Sequence, residues 1–275
     1  MNIHPTATIH PKAELGEGVS VGPYAVIGED VRLGEGTIVG PHAVIEGWTT
    51  IGQRCDIGVG AVLGGPPQDL KYRGQRAFLR IGDHTCIREY VTVHRSAEED
   101  GVTSIGAHDF LMAYTHVAHD CRLGDYVIMV NYAGLSGYVE VEDHAFISGH
   151  NAVHQFVRIG YLAMVSGASR VVKDIPPFMI AEGNPTRIRG LNVVGMRRLG
   201  LKPSARAELR RAYQLLYRSG LNISQALDGM RQEGLTSSEV QRLMAFIEGA
   251  KRGICGGLRP GERDGAADAE AEDDA

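Results

Sequence analysis

Aromatic residues make up only 6% of this 275-residue chain, and its four cysteines, Cys55, Cys86, Cys121 and Cys255, stand far apart with no CxxC pair. No apolar run approaches the roughly 18 residues that a membrane-spanning helix requires, and no basic and apolar signal segment opens the chain. The cysteine spacing argues against a disulfide framework or a structural zinc site, and for reduced core residues. These absences together predict a cytoplasmic protein without a membrane span.

What the chain does have is a period of six. Stepping by six from Ile3 to Val171 visits twenty-nine positions, and twenty-six carry Ile, Leu, Val or Met; the misses are Asp69, Gln75 and Glu99. Neither an α-helix nor a plain strand selects every sixth residue. A chain that turns a corner every six residues does, and such hexapeptide repeats mark a parallel β-helix. Three hexapeptides close a triangular coil of 18 residues, with the periodic side chains pointing inward. Gly often follows the periodic residue, as in Leu33-Gly34 and Ile105-Gly106, which suggests a tight corner there. Stacked at about 4.8 Å, roughly nine coils make a prism about 43 Å long. Each coil buries its apolar residues only through its neighbours, so the ends need covering.

The period ends at Val171, which predicts a β-helix over residues 1–185. Past Thr186 the glycines thin out, and Ser204 to Arg218 and Ser237 to Lys251 place apolar residues three and four apart. Residues 186–258 therefore read as an α-helical domain, with Pro203-Ser204 and Ser237-Ser238 as helix starts. Residues 259–275 carry two basic and seven acidic residues and almost nothing to bury, the composition of a disordered acidic tail. Between Arg187 and Arg218, nine basic residues face one acidic residue, Glu208. That stretch is either a solvated face or a docking surface for an acidic or phosphate-bearing partner. Its only aromatic residues are Tyr213 and Tyr217, too few to favour nucleic acid.

Two segments interrupt the period, which resumes in phase after each. Residues 64–80 and 95–104 must bulge outward as loops, and loops on rigid scaffolds commonly carry function. The first contains Gln68, Asp69, Lys71 and Tyr72 after a Pro-Pro pair. Steps of 18 also act as a ruler: His119, Gly137 and Gln155 fall in one column, with His154 beside it. A histidine under a glycine whose N–H is free to meet a ligand has the parts of a general base and an oxyanion donor. Cys121, two residues from His119, reads as packing. His116 and His119 could instead ligate a metal, which sets up a rival reading as a zinc hydratase resembling the γ-class carbonic anhydrases. The spacing HVAHD does not present that family's wider His pair.

The segments Gln68 to Tyr72, Ile87 to Arg95, His116 to Cys121, Ala152 to Phe156 and Ile180 to Pro185 together resemble the UDP-N-acetylglucosamine 3-O-acyltransferase family. The resemblance spans about residues 1–255. It implies a left-handed parallel β-helix and a homotrimer with sites between neighbouring prisms. It further implies transfer of a 3-hydroxyacyl chain from acyl carrier protein to the sugar 3-hydroxyl of UDP-N-acetylglucosamine, the first step of lipid A biosynthesis, with no cofactor and no metal. The family's general base matches His119, its supporting carboxylate Asp120 and its oxyanion glycine Gly137. Asp120 can support its sequence neighbour only if the backbone bends between them. Substrate contacts match Asp69, Lys71, His116, His154, Gln155, Asn192 and Arg198, Tyr138 stands at a further substrate-binding position, and Gly167 matches the position that limits acyl length. Tyr138, Val194 and Leu199 depart from the family pattern. The N-acyltransferase of the same pathway carries an extra uridine-binding domain before its β-helix, and an inactive scaffold is the non-catalytic alternative.

Overall fold

The computed structural model describes residues 2–258; the acidic segment 259–275 and the expectation made for it lie outside the described residues. The periodic part is a left-handed parallel β-helix of three sheets. Most of its strands are two residues long. Registers step by 18 residues between regular coils, as in His116 to Gly134 to Ala152 to Arg170. They step by 30 across the first loop, from Asp56 to Cys86, and by 24 across the second, from Cys86 to Phe110. Both insertions are multiples of six, which is why the period resumes in phase.

The periodic residues form the core: Ile27, Ile45, Ile57, Leu63, Val93, Val117 and Ile147 are all at most 1% exposed. Each such side chain contributes roughly 1.5–3 kcal/mol by leaving water. A second buried track runs two residues ahead of the first and holds smaller side chains such as Ala25, Ala43, Ala61, Ala133 and Ala163. The corners differ from the sequence expectation. The left-handed backbone sits three residues after the periodic position, at Tyr24, His42, His84, Tyr90, Tyr114 and Asp120 among others, each with φ between 53 and 66°. Glycines directly after the periodic residue answer a different demand. A Cβ at Gly34 would lie 2.5 Å from the Gln53 nitrogen and the Gly52 carbonyl carbon of the next coil, so close stacking of backbones requires glycine there.

Loop insertions also lengthen the strands at their base. Val62–Gly65, Phe78–Ile81 and Val102–Ile105 each run four residues, so the excursions are shorter than 64–80 and 95–104. Both leave the prism at one corner, between the nine-stranded and the eight-stranded sheet. His119 and Asp120 occupy the next turn of that corner, which brings both loops to them.

Beyond Val171 the chain adds an antiparallel hairpin, Met179–Glu182 with Arg187–Leu191, to the end of the eleven-stranded sheet. Residues 187–191 are thus strand, and helix begins at α1 (Val193–Arg198). Then follow α2 (Pro203–Tyr217), α3 (Ile223–Gln232) and α4 (Ser238–Glu248). Pro203 sits in the first turn of α2, where its missing N–H costs nothing. Asn222 and Gln225 form a capping box on α3, a helix the spacing argument had not singled out. Leu209, Ala212, Met230, Val240, Leu243 and Ile247 join the prism core in one cluster. The Arg242 guanidinium lies 4.0 Å over the Tyr161 ring, and that of Arg158 lies 4.2 Å over Phe246, which pins α4 to the last coils.

Candidate active site

Asp120 takes the left-handed corner position, φ 61°. That bend turns its carboxylate back toward the preceding residue, so His119 Nδ1 and Asp120 Oδ2 stand 2.8 Å apart. The carboxylate accepts, which places the proton on Nδ1 and leaves Nε2 with a lone pair. The same carboxylate accepts from the Ser96 hydroxyl and, at 3.1 Å, from the Ala97 N–H. The Asp120 N–H donates to Thr103 Oγ1 at 2.7 Å.

The His119 ring lies against Gly137. A Cβ on that glycine would meet the ring at 2.6 Å from Cε1 and 2.8 Å from Nε2. The Gly137 N–H has no acceptor among the described residues. A donor and a proton acceptor thus share one small space. Asp69 reaches in from the first loop to 3.9 Å from Nε2, while Lys71, beside it, is exposed and donates its backbone N–H to Asp69 Oδ1 at 2.8 Å. Tyr138 sets its ring edge-on to His119 at 5.4 Å, stacks on Phe156 at 4.7 Å and donates its hydroxyl to Glu98 at 2.6 Å. Burial, followed by that hydrogen bond, pushes the Tyr138 hydroxyl above its ordinary range.

His116 bonds Thr92 Oγ1 through Nδ1 at 2.8 Å and meets the His94 ring edge-on at 4.9 Å. Burial holds both imidazoles below the usual value, His94 at about 4, with His116 and His119 adding to the effect on His94. Both are therefore neutral at pH 7. The Cys121 thiol is fully buried and raised to about 12 by that burial, which suits packing and not nucleophilic attack.

Of the residues singled out from sequence, Asp69, His116, His119, Asp120, Gly137 and Tyr138 converge. His154 and Gln155 lie exposed along the same corner, with His154 Nδ1 at 3.1 Å from the Gln155 carbonyl oxygen. Asn192 is buried, and its side chain already accepts from Gly195 N–H and donates to the Leu162 carbonyl oxygen, both at 2.9 Å. Arg198 is exposed at the end of α1. Gly167 stands on a different corner, stacked above Gly149. The sequence reading did not pick out His94, Ser96 and Glu98 individually. Ser96 and Glu98 fall in the segment expected to bulge, but their contacts reach 24 and 40 residues along the chain.

The basic stretch is partly neutralised: Arg211 holds Glu233 through two hydrogen bonds of 2.6 Å, Arg189 lies 3.5 Å from Glu182, and Glu208 caps the Ser237 N–H at 2.8 Å. Arg198 and Lys202 stay exposed.

Residues 174–255 match the family model described as UDP N-acetylglucosamine O-acyltransferase, domain 2, and residues 30–65 match the bacterial transferase hexapeptide model. The chain is 53% identical over 253 residues to an acyl-[acyl-carrier-protein]--UDP-N-acetylglucosamine O-acyltransferase of Alkalilimnicola ehrlichii, covering 92% of this chain and 98% of the relative. It is 49% identical to the Thiobacillus denitrificans enzyme of the same name, with the same coverage. Among solved structures, LpxA of Acinetobacter baumannii superposes with a TM-score of 0.89 at 41% identity, covering 92% of this chain and 99% of that one. The Bacteroides fragilis UDP-N-acetylglucosamine acyltransferase gives 0.90 at 38%, covering 93% and 99%. With identity of this order over nearly the whole length of its relatives, the chain belongs to the acyl-[acyl-carrier-protein]--UDP-N-acetylglucosamine O-acyltransferase family.

Proposed function

We propose that this protein transfers a 3-hydroxyacyl chain from acyl carrier protein to the 3-hydroxyl of UDP-N-acetylglucosamine, with His119 as general base. The observation that carries the mechanism is the joint placement of His119 and Gly137. Asp120 holds the imidazole through Nδ1, and the free Nε2 adjoins an unpaired backbone N–H. As the sugar oxygen attacks the thioester carbonyl, Nε2 takes its proton and the Gly137 N–H stabilises the oxyanion. Collapse of the tetrahedral species breaks the carbon–sulfur bond, and the proton passes from Nε2 to the departing thiolate. Asp69, Lys71, His116, Tyr138, His154 and Gln155 then line the sugar, while Asn192 and Arg198 extend the site toward the nucleotide, Arg198 as a phosphate partner. The exposed basic residues Arg198 and Lys202 suit an acidic carrier protein.

The reading includes a homotrimer with sites between neighbouring prisms, supported by Gly167, the acyl-length position, standing on a different corner from His119. A glycine there opens the groove to longer chains, and a measured preference for short over long acyl groups would overturn that part. No described helix is long and apolar enough to cross a membrane, in keeping with action in the cytoplasm on a soluble carrier.

The deciding experiment is His119→Ala. The variant should fold and bind the UDP-sugar, with turnover reduced by roughly 10²–10⁴-fold. A folded variant with wild-type turnover would exclude the mechanism.

A further inference from the structure

The loop between Thr92–His94 and Val102–Ile105 reaches the carboxylate behind the proposed base, and it does so with a hydroxyl and a backbone N–H. Ser96 has no exposed surface. Its oxygen accepts from the Glu98 N–H at 3.0 Å, and its single proton points at Asp120 Oδ1. The Ala97 N–H covers the other oxygen at 3.1 Å, the one that also faces His119 Nδ1. With both oxygens held, the carboxylate has no freedom to rotate away from the imidazole. The loop is tied down a second time by the bond from the Tyr138 hydroxyl to Glu98.

We infer that Ser96 is a positioning residue for the acyl transfer: its hydroxyl fixes the Asp120 carboxylate, and through it the tautomer and orientation of His119. Partners that orient metal-ligating side chains typically carry a 10–100-fold share of activity, and a residue that orients a general base through its carboxylate is expected to weigh about the same. The inference rests on His119 being the base, and the two fail separately. If His119→Ala stays active, that reading falls; if His119→Ala is dead but Ser96 can be changed freely, only the role of Ser96 falls.

Ser96→Ala should lower kcat about 10–100-fold while KM for the UDP-sugar stays within about threefold, because no substrate contact is removed. Ser96→Thr, which keeps the hydroxyl, should recover most of the loss. In an Asp120→Ala background, Ser96→Ala should cost little more, since the hydroxyl acts only through that carboxylate. Additive losses, or a rise in KM at constant kcat, would overturn the inference. Should Ser96→Ala fail to fold, Ser96→Cys keeps the shape with a weaker donor. A several-fold lower kcat supports the role of Ser96, and wild-type kcat in a folded Cys variant overturns it.

Discussion

Backbone N–H groups at the corner carrying Gln53, Asp83, Ala107, Asp125 and Asp143 are capped by carboxylates one coil further on. Gln53 donates to Asp83 at 2.9 Å, Ala107 to Asp125 at 2.8 Å and Asp125 to Asp143 at 3.0 Å. The corner carrying His119, Gly137 and Gln155 occupies the same place in the repeat and has no such ladder. Where an aspartate would stand above His119 there is Gly137, and the Gly137 N–H itself goes uncapped. Both loops also leave the prism at this second corner. The scaffold thus spends carboxylates on three backbone donors where it has only to stand, and leaves the Gly137 donor open beside His119, where a substrate can take it.

The comparison breaks most severely at Asp120. Asp120→Ala leaves His119 Nδ1 without its acceptor, which frees both the tautomer and the ring. The kcat should fall about 10³–10⁴-fold in a folded protein of lower melting temperature, since the Ser96 hydroxyl and Ala97 N–H lose the same acceptor, as steady-state kinetics and calorimetry would show. Gly137→Ala comes next. The new methyl must displace the His119 ring, since the built Cβ lies 2.6 Å from it, and kcat should fall about 10²-fold in a folded protein.

The ladder corner answers to stability instead. Asp109, two residues past Ala107, is buried; it accepts from the Val127 N–H at 2.7 Å, but its other oxygen has no partner. Burial raises its carboxyl to about 8. The folded state therefore holds the proton that the unfolded chain releases from about pH 4. Stability should decline from about pH 4 to pH 8 and level off beyond. Asn151 fills the equivalent place on another coil with every polar atom engaged, accepting from Ser169 N–H and donating to the Ser148 carbonyl oxygen, both at 2.7 Å. Asp109→Asn should reproduce that pattern and gain about 1–3 kcal/mol at pH 8. Near pH 4 it should change little, as denaturant titrations at the two pH values would record. The smallest effect is expected for Gly134→Ala, on the outer face one coil beyond His116. Its Cβ would have nothing nearer than the Asn151 oxygen at 4.0 Å, so activity should stay within about twofold.

Much of this molecule was legible in its sequence because a β-helix writes its geometry as a period. The same 18-residue step that stacks Ile27 on Ile45 put His119 under Gly137. Glycine was the misleading signal: at Gly34 it answers a close approach between coils, whereas many of the left-handed turns belong to aromatic residues such as Tyr90, Tyr114 and Phe156, which rarely advertise a turn. The contacts of Ser96 and Glu98 were hidden for another reason. Loop residues do not obey the period, so nothing in their spacing says which coil they touch. Asn192 carries a second task that the resemblance does not reveal, since its amide also holds α1 to Leu162.

The two ends of the prism differ, and that difference gives unfolding a direction. Asn2–Ile3, Thr8–Ile9 and Glu14–Leu15 are the outermost strands of their sheets, and Ile3 is 40% exposed, while the opposite end is roofed by α1 to α4. In a stack where each coil is held only by its neighbours, opening propagates from the bare face inward. Amide exchange should therefore be fastest in the first coils and fall along the axis. The coil bearing His119 lies toward the slow end of that gradient, so fraying at the amino terminus can run its course on a fast timescale without disturbing the geometry of the base.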